Sequence, residues 1–334
     1  MTRGVATMRS AARGAFQLIA IASMVGALGL SHALAQEYPN KPIRVVVPFG
    51  PPGGIADRMA RLVSDKLRER WGQPVIVENR PGANANVGAE FVARAPGDGY
   101  TLLFTSEGPM AINKHLFAKL NYEPEKFVPV SIVITQPLIL VAGARLPFGN
   151  LGDLLAHARA NPDKLNLGTN GNGSNMHLSL ERLKLETGVK IGHVPYKGVT
   201  GAITDMVGGQ IDLMFIGLGT VSALVKAGKL RILATASEAR LPALPEVATM
   251  SETLPGFTAG GWFGVVSSPM TPPAIANRLS LAIRELIKHP EVQNFMNELN
   301  VQGVGSTPEE MAALARREGE RWGKLIRATG IVAE

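Results

Sequence analysis

The chain has 334 residues and contains no cysteine. This absence excludes disulfide bonds, thiolate nucleophiles, zinc-thiolate sites and an N-terminal cysteine that carries lipid. Beyond residue 35 the sequence also has no apolar stretch long enough to cross a membrane. Its lysines and arginines form no long run, which argues against nucleic acid as a partner and is compatible with a small anionic ligand.

Residues 1–35 have the features of an export signal. Three arginines precede an apolar run over 15–30, and Ala33 and Ala35 supply the small residues of a cleavage site. We predict cleavage near Ala35 and, after export, a protein that is free in its compartment rather than held by an uncleaved anchor. Cleavage leaves 299 residues (334 − 35) and lowers the formal net charge from +7 to +4, because three arginines are lost. That length suffices for one large or two ordinary domains.

Short apolar runs rich in β-formers alternate with segments of helical periodicity in the rest of the chain. This alternation is typical of strand-helix units and predicts an α/β protein built on largely parallel sheets. From residue 273 onward helices dominate, and Thr307-Pro308-Glu309-Glu310 has the sequence of a capping box that opens the last of them. The predicted strands lie at 42–49, 75–78, 100–105, 128–135, 138–141, 165–168, 211–216, 231–236 and 262–266.

Two stretches interrupt this pattern, at 142–147 and at 254–261, the second rich in proline and glycine. Both would suit crossings of the chain between two domains. We therefore predict a discontinuous first domain formed by residues 36–141 and 260–334, and a second domain formed by residues 142–259.

Four predicted strands end in small or polar residues that lead into a helix, at 50–57, 106–109, 169–175 and 197–201. In open α/β sheets such strand ends line the ligand crevice. Free backbone N–H groups and the positive end of the helix dipole suit an anion such as a carboxylate there. These four turns are therefore the candidate binding site.

The segment GTNGNGSNMHL, at 168–178, is the most concentrated of the four. Its glycines permit a tight backbone turn, and its short polar side chains can donate hydrogen bonds. The alternative is an ordinary loop in which the serine caps the following helix. No Gly-Lys-Ser/Thr follows, so the segment does not match a phosphate loop. The glycines are Gly171 and Gly173, and the short polar donors are Thr169, Asn170, Ser174 and Asn175.

Four other polar residues each have two interpretations. Lys197 could meet a ligand carboxylate or be a solvated lysine. Asp57 and Asp205, which we place near helix starts, could hold an amine or hydroxyl of the ligand or could compensate the helix dipole. His177 lies in an apolar helical stretch, which favours a buried, hydrogen-bonded histidine over a general base.

The sequence has no arrangement typical of catalysis or of metal binding. Its histidines show no HExxH spacing, and no Gly-x-Ser-x-Gly elbow is present. A hydrolase that used Ser174 with His177 or His193 would need a base within reach of the nucleophile and a third group to orient that base. No known spacing supplies these groups, so we predict no catalytic residue, no metal and no cofactor.

Several short segments of the mature chain occur together and in a fixed order. In chain order they are YPNKPIRVVVPFGPPGGIAD, GQPVIVENRPGA, GDGYTLL, LGTNGNGSNMHL, HVPYKG, GGQIDLMF, GKLRILA, LPGF followed by GWFGVV, and a final TGIVAE. In this combination, behind an export signal, the mature chain from end to end resembles the extracytoplasmic solute receptors of the tripartite tricarboxylate transporter systems. These receptors are the Bug or TctC-like family of periplasmic binding proteins.

The resemblance implies an α/β, two-domain periplasmic-binding-protein fold, type II-like, with the ligand cleft between the domains and two crossover strands as the hinge. It implies a monomer that binds a small organic acid (a di- or tricarboxylate, an amino acid or an aromatic acid) and works with membrane transporter subunits. Ordered water commonly helps to hold one carboxylate. Contacts are expected from the turn at 50–57 and the loop at 169–174. The expected ligand-binding residues are Phe49, Gly53, Gly54, Asp57, Ser106, Thr169, Asn170, Gly171, Gly173, Ser174, His177, Lys197, Gly198 and Asp205.

Two departures from the family pattern lie in the first domain. One residue more than usual separates Phe49 from Asp57, and Ala83-Asn84-Ala85 stands where the family commonly has Ala-Gly-Gly. Both changes make an unusual ligand shape conceivable. A protein that binds the same ligand but signals to a sensor kinase is the alternative to transport, since both functions need the same closing cleft.

Overall fold

The computed structural model describes residues 38–50 and 54–333. The predicted export signal with its cleavage site near Ala35 lies outside the described residues, and so does Gly53 of the predicted site. Residues 38–41 contain no helix or strand, and every element below belongs to the unit that begins at Pro42. Among the described residues, no helix combines the length and the apolar character that a membrane span requires.

Ten strands occur in the described part of the chain. They are β1 Ile43–Val47, β2 Val75–Asn79, β3 Thr101–Ser106, β4 Val128–Gly143, β5 Asn166–Thr169, β6 Gly192–Pro195, β7 Leu213–Gly217, β8 Leu230–Thr235, β9 Gly260–Ser267 and β10 Gln302–Gly303.

The strands alternate with α-helices over most of the chain. The helices are α1 Ile55–Trp71, α2 Asn86–Ala93, α3 Asn113–Leu116, α4 Leu151–Ala160, α5 Asn175–Thr187, α6 Val199–Gly208, α7 Leu218–Lys226, α8 Pro273–Ile287, α9 Pro290–Glu298 and α10 Pro308–Thr329. A π-helical turn, Gly108–Ile112, precedes α3, and two short 3₁₀ turns lie at Pro124–Lys126 and Met250–Glu252.

The first strand and helix illustrate how the sequence builds these units. β1 has the sequence Ile-Arg-Val-Val-Val, whose β-branched side chains favour a pleated backbone, and all but the arginine are buried. α1 buries Met59, Val63 and Leu67, which recur every four residues and therefore share one face. The helix ends at Gly72, whose φ of 64° is the left-handed conformation of a C-cap. The turn that connects β1 to α1 consequently lies at the carboxyl end of a buried strand.

The sheet is mixed, which corrects the prediction of largely parallel sheets. The strand order is β2-β1-β3-β9-β4-β7-β5-β6, with β8 and β10 also paired to β4. β1 is parallel to β2 and β3, and β5 is parallel to β6 and β7. β4 and β9, however, run antiparallel to all their neighbours. The prediction was wrong because β9 runs opposite to the parallel strands β1–β3, and β4 runs opposite to the parallel strands β5–β7.

The two halves of this sheet make two lobes. Lobe A contains β1, β2, β3, β9, β10 and the first part of β4, with helices α1–α3 and α8–α10; lobe B contains β5–β8 and the second part of β4, with helices α4–α7. β4 pairs with β9 as far as Pro137, with β7 from Leu138 onward and with β8 from Ile139 onward. The strands predicted at 128–135 and 138–141 are therefore one strand that crosses between the lobes.

A second crossing leads into β9 beside the first. The N–H of Leu138 donates to the carbonyl of Ala259 over 3.0 Å. A Cβ on Gly260 would lie 3.0 Å from the carbonyl oxygen of Gln136 and 3.2 Å from Cα of Pro137, so the close approach of the crossing segments favours glycine. The predicted domain boundaries, between 141 and 142 and between 259 and 260, stay a prediction.

A small apolar cluster joins the two lobes, apart from the larger cores inside each. It contains Ile112, Leu116, Trp322 and Ile326 of lobe A and Leu178 of lobe B, all buried. Burial of a leucine side chain contributes about 1.5–3 kcal/mol. Leu178 therefore helps to hold the first turns of α5 against α10.

The predicted capping box at the start of the last helix is confirmed. The hydroxyl of Thr307 accepts the N–H of Glu310 at 3.2 Å, and the carboxylate of Glu310 accepts the N–H of Thr307 at 2.8 Å. Both N–H groups would otherwise lack partners at the helix start. The prediction that helices dominate from residue 273 holds, apart from the two-residue strand β10.

Candidate ligand-binding site between the lobes

The turn between β1 and α1 leaves space beside Gly54. Gly54 is the N-cap of α1, with φ −68°, and no side chain caps the helix there. A Cβ on this residue would meet no atom within 4 Å. Neither the backbone conformation nor the packing therefore requires glycine, whereas a ligand close to the helix start would.

Phe49 and Ser106 meet the same strand of lobe A. The ring of Phe49 contacts Phe263 edge to face, with centroids 5.5 Å apart and planes at 88°. Phe263 in β9 lies opposite Ser106 at the end of β3. The hydroxyl of Ser106 accepts the N–H of Gly108 at 3.3 Å. These two predicted residues consequently lie near each other at the strand ends of lobe A.

Asp57 forms an ion pair within α1. Asp57 is 4% exposed. Its two carboxylate oxygens accept hydrogen bonds from Nε and from one terminal nitrogen of Arg61, both at 3.0 Å. The amide of Asn79 donates to the same carboxylate at 3.0 Å. Of the two interpretations of Asp57, a structural role at the start of the helix is better supported by these contacts.

The loop between β5 and α5 is a compact turn held by its own polar groups. The hydroxyl of Thr169 accepts the N–H of Gly171 at 3.3 Å. Ser174 is the N-cap of α5, and its hydroxyl accepts the N–H of His177 at 3.3 Å. Gly171 and Gly173 have φ of 129° and 69°, values that favour glycine. A Cβ on Gly173 would also lie 2.3 Å from Leu116 of lobe A, so this glycine is required by the fold itself.

Two stacked imidazoles lie behind this loop. The rings of His177 and His193 have centroids 3.7 Å apart and planes within 6°. Nδ1 of His177 accepts the N–H of Gly173 at 3.0 Å, and Nε2 of His193 lies 2.7 Å from the hydroxyl of Thr169. Burial, and next the neighbouring His177, lower the pKa of His193 to about 4. His193 is therefore neutral at physiological pH. The two rings together support both ends of the loop.

The predicted residues after β6 are only partly in a position to bind ligand. Lys197 is exposed, and Gly198, with φ 120°, begins α6 without a side-chain cap. Asp205 lies in the second half of α6, so its placement near a helix start was wrong. Its carboxylate accepts the hydroxyl of Tyr196 at 2.7 Å, and burial followed by this carboxylate raises the pKa of Tyr196 to about 12.

The loop of lobe B touches lobe A through Asn84, at the second departure from the family pattern. The side-chain amide of Asn84 donates to the carbonyl of Asn172 at 2.9 Å. The backbone carbonyl of Asn84 in turn accepts the amide of Asn113 at 2.8 Å. Asn84 has φ 51°, a left-handed conformation that asparagine tolerates better than most residues. The unusual sequence at 83–85 thus contributes an interlobe hydrogen bond.

Sequence reasoning predicted a candidate turn at 106–109 but did not single out Glu107, which links the two lobes. Glu107 follows β3 and is 7% exposed. Its Oε1 accepts the amide of Asn175 in lobe B at 2.9 Å, and its Oε2 accepts the N–H of Trp262 in β9 at 3.1 Å. Burial raises the pKa of Glu107 to about 7. The signal that could have found it was an acidic residue among small and apolar residues directly after a buried strand.

The geometry around Ser174 does not form a nucleophile-base pair. Its hydroxyl accepts a backbone N–H, and the imidazole nitrogen of His177 that faces the loop accepts the N–H of Gly173. Among the described residues, no three His, Asp or Glu side chains cluster closely enough to hold a metal ion. The arrangement instead offers short donors, a helix start and close backbone, which suit reversible binding of an anion.

A separate surface hollow of about 470 Å³ is lined by Arg44, Phe91 and Arg94, among other residues of lobe A. None of the predicted site residues contributes to its wall. The strand-end turns therefore remain the candidate site on chemical grounds.

Comparison with known proteins bears on the family. The family model described as "Tripartite tricarboxylate transporter family receptor" matches residues 59–331. The chain is 36% identical to Protein BugT of Bordetella pertussis over 299 residues, which cover 89% of this chain and 91% of that protein.

Solved structures bear on the fold. The structure of R. palustris Rpa4515 with adipate has a TM-score of 0.82 and 32% identity, covering 89% of this chain and 99% of that one. The structure of MatC from Rhodopseudomonas palustris with bound malate has a TM-score of 0.78 and 31% identity, covering 86% of this chain and 100% of that one. The predicted two-domain fold and the predicted resemblance are confirmed.

Proposed function

The chain belongs to the tripartite tricarboxylate transporter receptor family, and on that premise we propose that it captures a small organic carboxylate between its lobes and delivers it to a membrane transporter of the tripartite tricarboxylate type. The protein acts as a monomeric receptor in the periplasm after loss of residues 1–35, and it performs no chemical step. The ligand is a di- or tricarboxylate, an amino acid or an aromatic acid. The relatives with adipate and with malate support a dicarboxylate as the first class to test.

The observation that carries this proposal is the compact loop of lobe B, which contacts lobe A through the hydrogen bond from Asn84 to the carbonyl of Asn172. Asn170 and Ser174 supply short polar side chains, and the glycines between them bring backbone close to any occupant. Thr169 is buried and acts on the loop through its hydrogen bond with His193. Across the cleft, the start of α1 at Gly54 has space beside it. A carboxylate that is held from both sides favours the closed arrangement, because only that arrangement makes all the contacts.

The remaining predicted residues have narrower roles in this proposal. Phe49 and Ser106 shape the lobe A wall, Gly198 opens a second helix start, and Lys197 provides a cation for one carboxylate. His177 supports the loop from behind, and Gly53, which lies outside the described residues, stays a candidate on its sequence alone. Asp57 and Asp205 contribute through their protein partners Arg61 and Tyr196.

Calorimetry tests this function directly. The purified protein is unfolded, dialysed and refolded to remove ligand carried from the cells, and is then titrated with malate, adipate, a tricarboxylate, acidic amino acids and aromatic acids. Binding of at least one member at micromolar or tighter affinity supports the proposal. Failure of the refolded, correctly folded protein to bind any member contradicts it. Uptake of the bound acid by cells with and without the gene then separates transport from the sensing alternative.

A further inference from the structure

Glu107 is a carboxyl group buried at the junction of the two lobes. It lies directly after β3 in lobe A, and it accepts one hydrogen bond from each side of the cleft base. Asn175, the first residue of α5 in lobe B, donates its amide to Oε1 at 2.9 Å, and Trp262 in β9 donates its backbone N–H to Oε2 at 3.1 Å. The same amide of Asn175 lies 2.5 Å from the carbonyl of Gly260, where the second crossing enters β9.

Asn175 is well placed to transmit this contact to the loop of lobe B. It follows the N-cap Ser174 directly, so its position fixes where α5 begins. Its backbone carbonyl also accepts the hydroxyl of Ser179 at 2.7 Å, which ties it into the first turn of the helix. A displacement of Asn175 therefore displaces the loop at 169–174 with it.

The charge of Glu107 is costly at this depth. A buried carboxylate loses its hydration, and only hydrogen bonds to the ionised form offset that loss. Glu318 of α10 is the charged group that acts on it, and this second carboxylate opposes ionisation; Glu318 is itself paired with Arg321 at 2.7 Å. A glutamine or an apolar residue would be cheaper to bury, so the ionisable side chain requires an explanation other than stability.

We propose that Glu107 is a positioning residue that, when ionised, ties the start of α5 in lobe B to β9 in lobe A and holds the cleft closed before any ligand arrives. The inference rests on the proposed function only in that it concerns the same cleft. Closure in advance reduces the free energy that a ligand must supply to complete it.

Protonation weakens this link for a simple reason. Both carboxylate oxygens accept hydrogen bonds from N–H groups, and these bonds are strongest when the carboxylate carries its charge. A proton on either oxygen removes the charge and leaves that oxygen less capacity to accept, so at least one of the two hydrogen bonds is then weakened. Because burial raises the pKa of Glu107 to about 7, the ionised form dominates above that pH and the protonated form below it. The lobes are therefore expected to close as the pH rises through 7.

Spin labels on the two lobes test the inference without any ligand. The chain has no cysteine, so labels attach only at introduced sites, here Leu185→Cys on α5 and Leu281→Cys on α8, which are 59% and 53% exposed. Distance distributions of refolded, ligand-free protein are recorded by pulsed electron resonance from well below to well above pH 7. We expect two populations that exchange weight with an apparent midpoint near pH 7.

Two substitutions and a control accompany this titration. Glu107→Gln, which has the shape of the protonated acid, should show the low-pH distribution at every pH. Asn175→Ala, which removes the lobe B donor, should do the same and carries the test if the first variant does not fold. Glu123→Gln removes an exposed glutamate that pairs with Lys126 and should keep the response of the parent protein.

A distribution that does not change with pH in the parent protein overturns the inference, as does a Glu107→Gln variant that still responds like the parent. The result is independent of the proposed function, because no ligand is present. A pH-dependent cleft in a protein that binds no carboxylate would leave the inference standing and remove the function. Carboxylate binding by a protein whose cleft does not respond to Glu107 would support the function and overturn the inference.

Discussion

The imidazole rings of His177 and His193 are stacked face to face, 3.7 Å apart, directly behind the candidate ligand loop. Each ring holds one end of that loop, His177 through the N–H of Gly173 and His193 through the hydroxyl of Thr169. Burial, and next the neighbouring ring of His177, disfavour a positive charge on His193 and lower its pKa. Stability of the loop is therefore coupled to pH.

Acid should destabilise the protein through His193. Its pKa in the folded state is lowered to about 4, first by burial and then by His177, whereas the unfolded chain takes up the proton near the ordinary value of 6.5. Between these two pH values the unfolded state binds more protons than the folded state. The free energy of unfolding is therefore unaffected by protonation of His193 above pH 6.5 and decreases as the pH falls toward 4. Thermal unfolding midpoints measured across this range should decline accordingly.

The variant His193→Phe isolates this effect, because phenylalanine keeps a flat ring and cannot be protonated. Loss of the hydrogen bond to Thr169 should cost about 1 kcal/mol at neutral pH. Below pH 6.5 the midpoint of the variant should fall less steeply than that of the parent. The exposed His289, changed to Asn, serves as the control and should retain the parent's slope. Equal slopes for parent and His193→Phe would contradict the assignment.

A bulky side chain at Gly54 should weaken ligand binding and leave stability nearly unchanged. Gly54→Leu places a side chain into space that the protein itself does not fill, and φ of −68° suits any residue. We expect the dissociation constant of the tightest carboxylate from the calorimetric panel to rise at least about tenfold, or about 1.4 kcal/mol.

Gly149→Leu is the matched control, since a Cβ on Gly149 would also meet no atom within 4 Å and this residue belongs to none of the predicted turns. Its affinity should equal that of the parent. Unchanged affinity in a folded Gly54→Leu protein would remove Gly54 from the site. Gly173 is unsuitable for this comparison, because its φ of 69° and the contact with Leu116 make any substitution a change in the fold.

Asp57→Asn should reduce stability more than affinity. The buried carboxylate accepts two hydrogen bonds from Arg61 and one from Asn79, and the neutral amide cannot accept all three. Because Arg61 is half exposed, the expected cost is about 1–3 kcal/mol rather than that of a fully buried pair. Urea denaturation gives the stability and calorimetry the affinity. A large rise in the dissociation constant with unchanged stability would instead make Asp57 a ligand contact.

Lys197→Met should weaken binding of a carboxylate without affecting the fold. The exposed ammonium group at the start of α6 can form a charge-assisted hydrogen bond, which contributes about 1.5–3 kcal/mol. The loss should be largest at low salt, because counterions screen an exposed charge. Lys226→Met, at an exposed lysine in the last turn of α7, is the control. Equal affinity of both variants across salt concentrations would assign Lys197 to the solvated surface.

Local sequence signals predicted the local features of this fold well. The capping box at Thr307 and the N-cap at Ser174 follow from residue types at fixed spacing, and both occur. The loop of lobe B and the open turn at Gly54 were likewise visible as glycine-rich strand ends. In each case the physical cause lies within a few residues of the effect.

Features set by distant neighbours were not predicted. The strand β6 has only four residues, none of them fully buried, and gave no apolar run. The direction of β9 depends on where the chain re-enters lobe A, which no local pattern encodes. Glu107 gains its role from Asn175 and Trp262, which lie 68 and 155 residues away in the sequence. Asp205 was assigned to a helix start because the bounds of α6 were unknown.

The continuity of β4 limits how the two lobes can move. β4 is hydrogen-bonded to β9 of lobe A up to Pro137 and to β7 of lobe B from Leu138. Rotation of one lobe relative to the other along this strand is therefore confined to the few backbone bonds around that junction. Pro137 has one backbone torsion fixed by its ring and donates no hydrogen bond, which restricts rotation while leaving the ladder weakest there. Such a junction allows few independent rotations, so the relative orientation of the lobes should be described by a single opening angle rather than by free reorientation about a flexible tether.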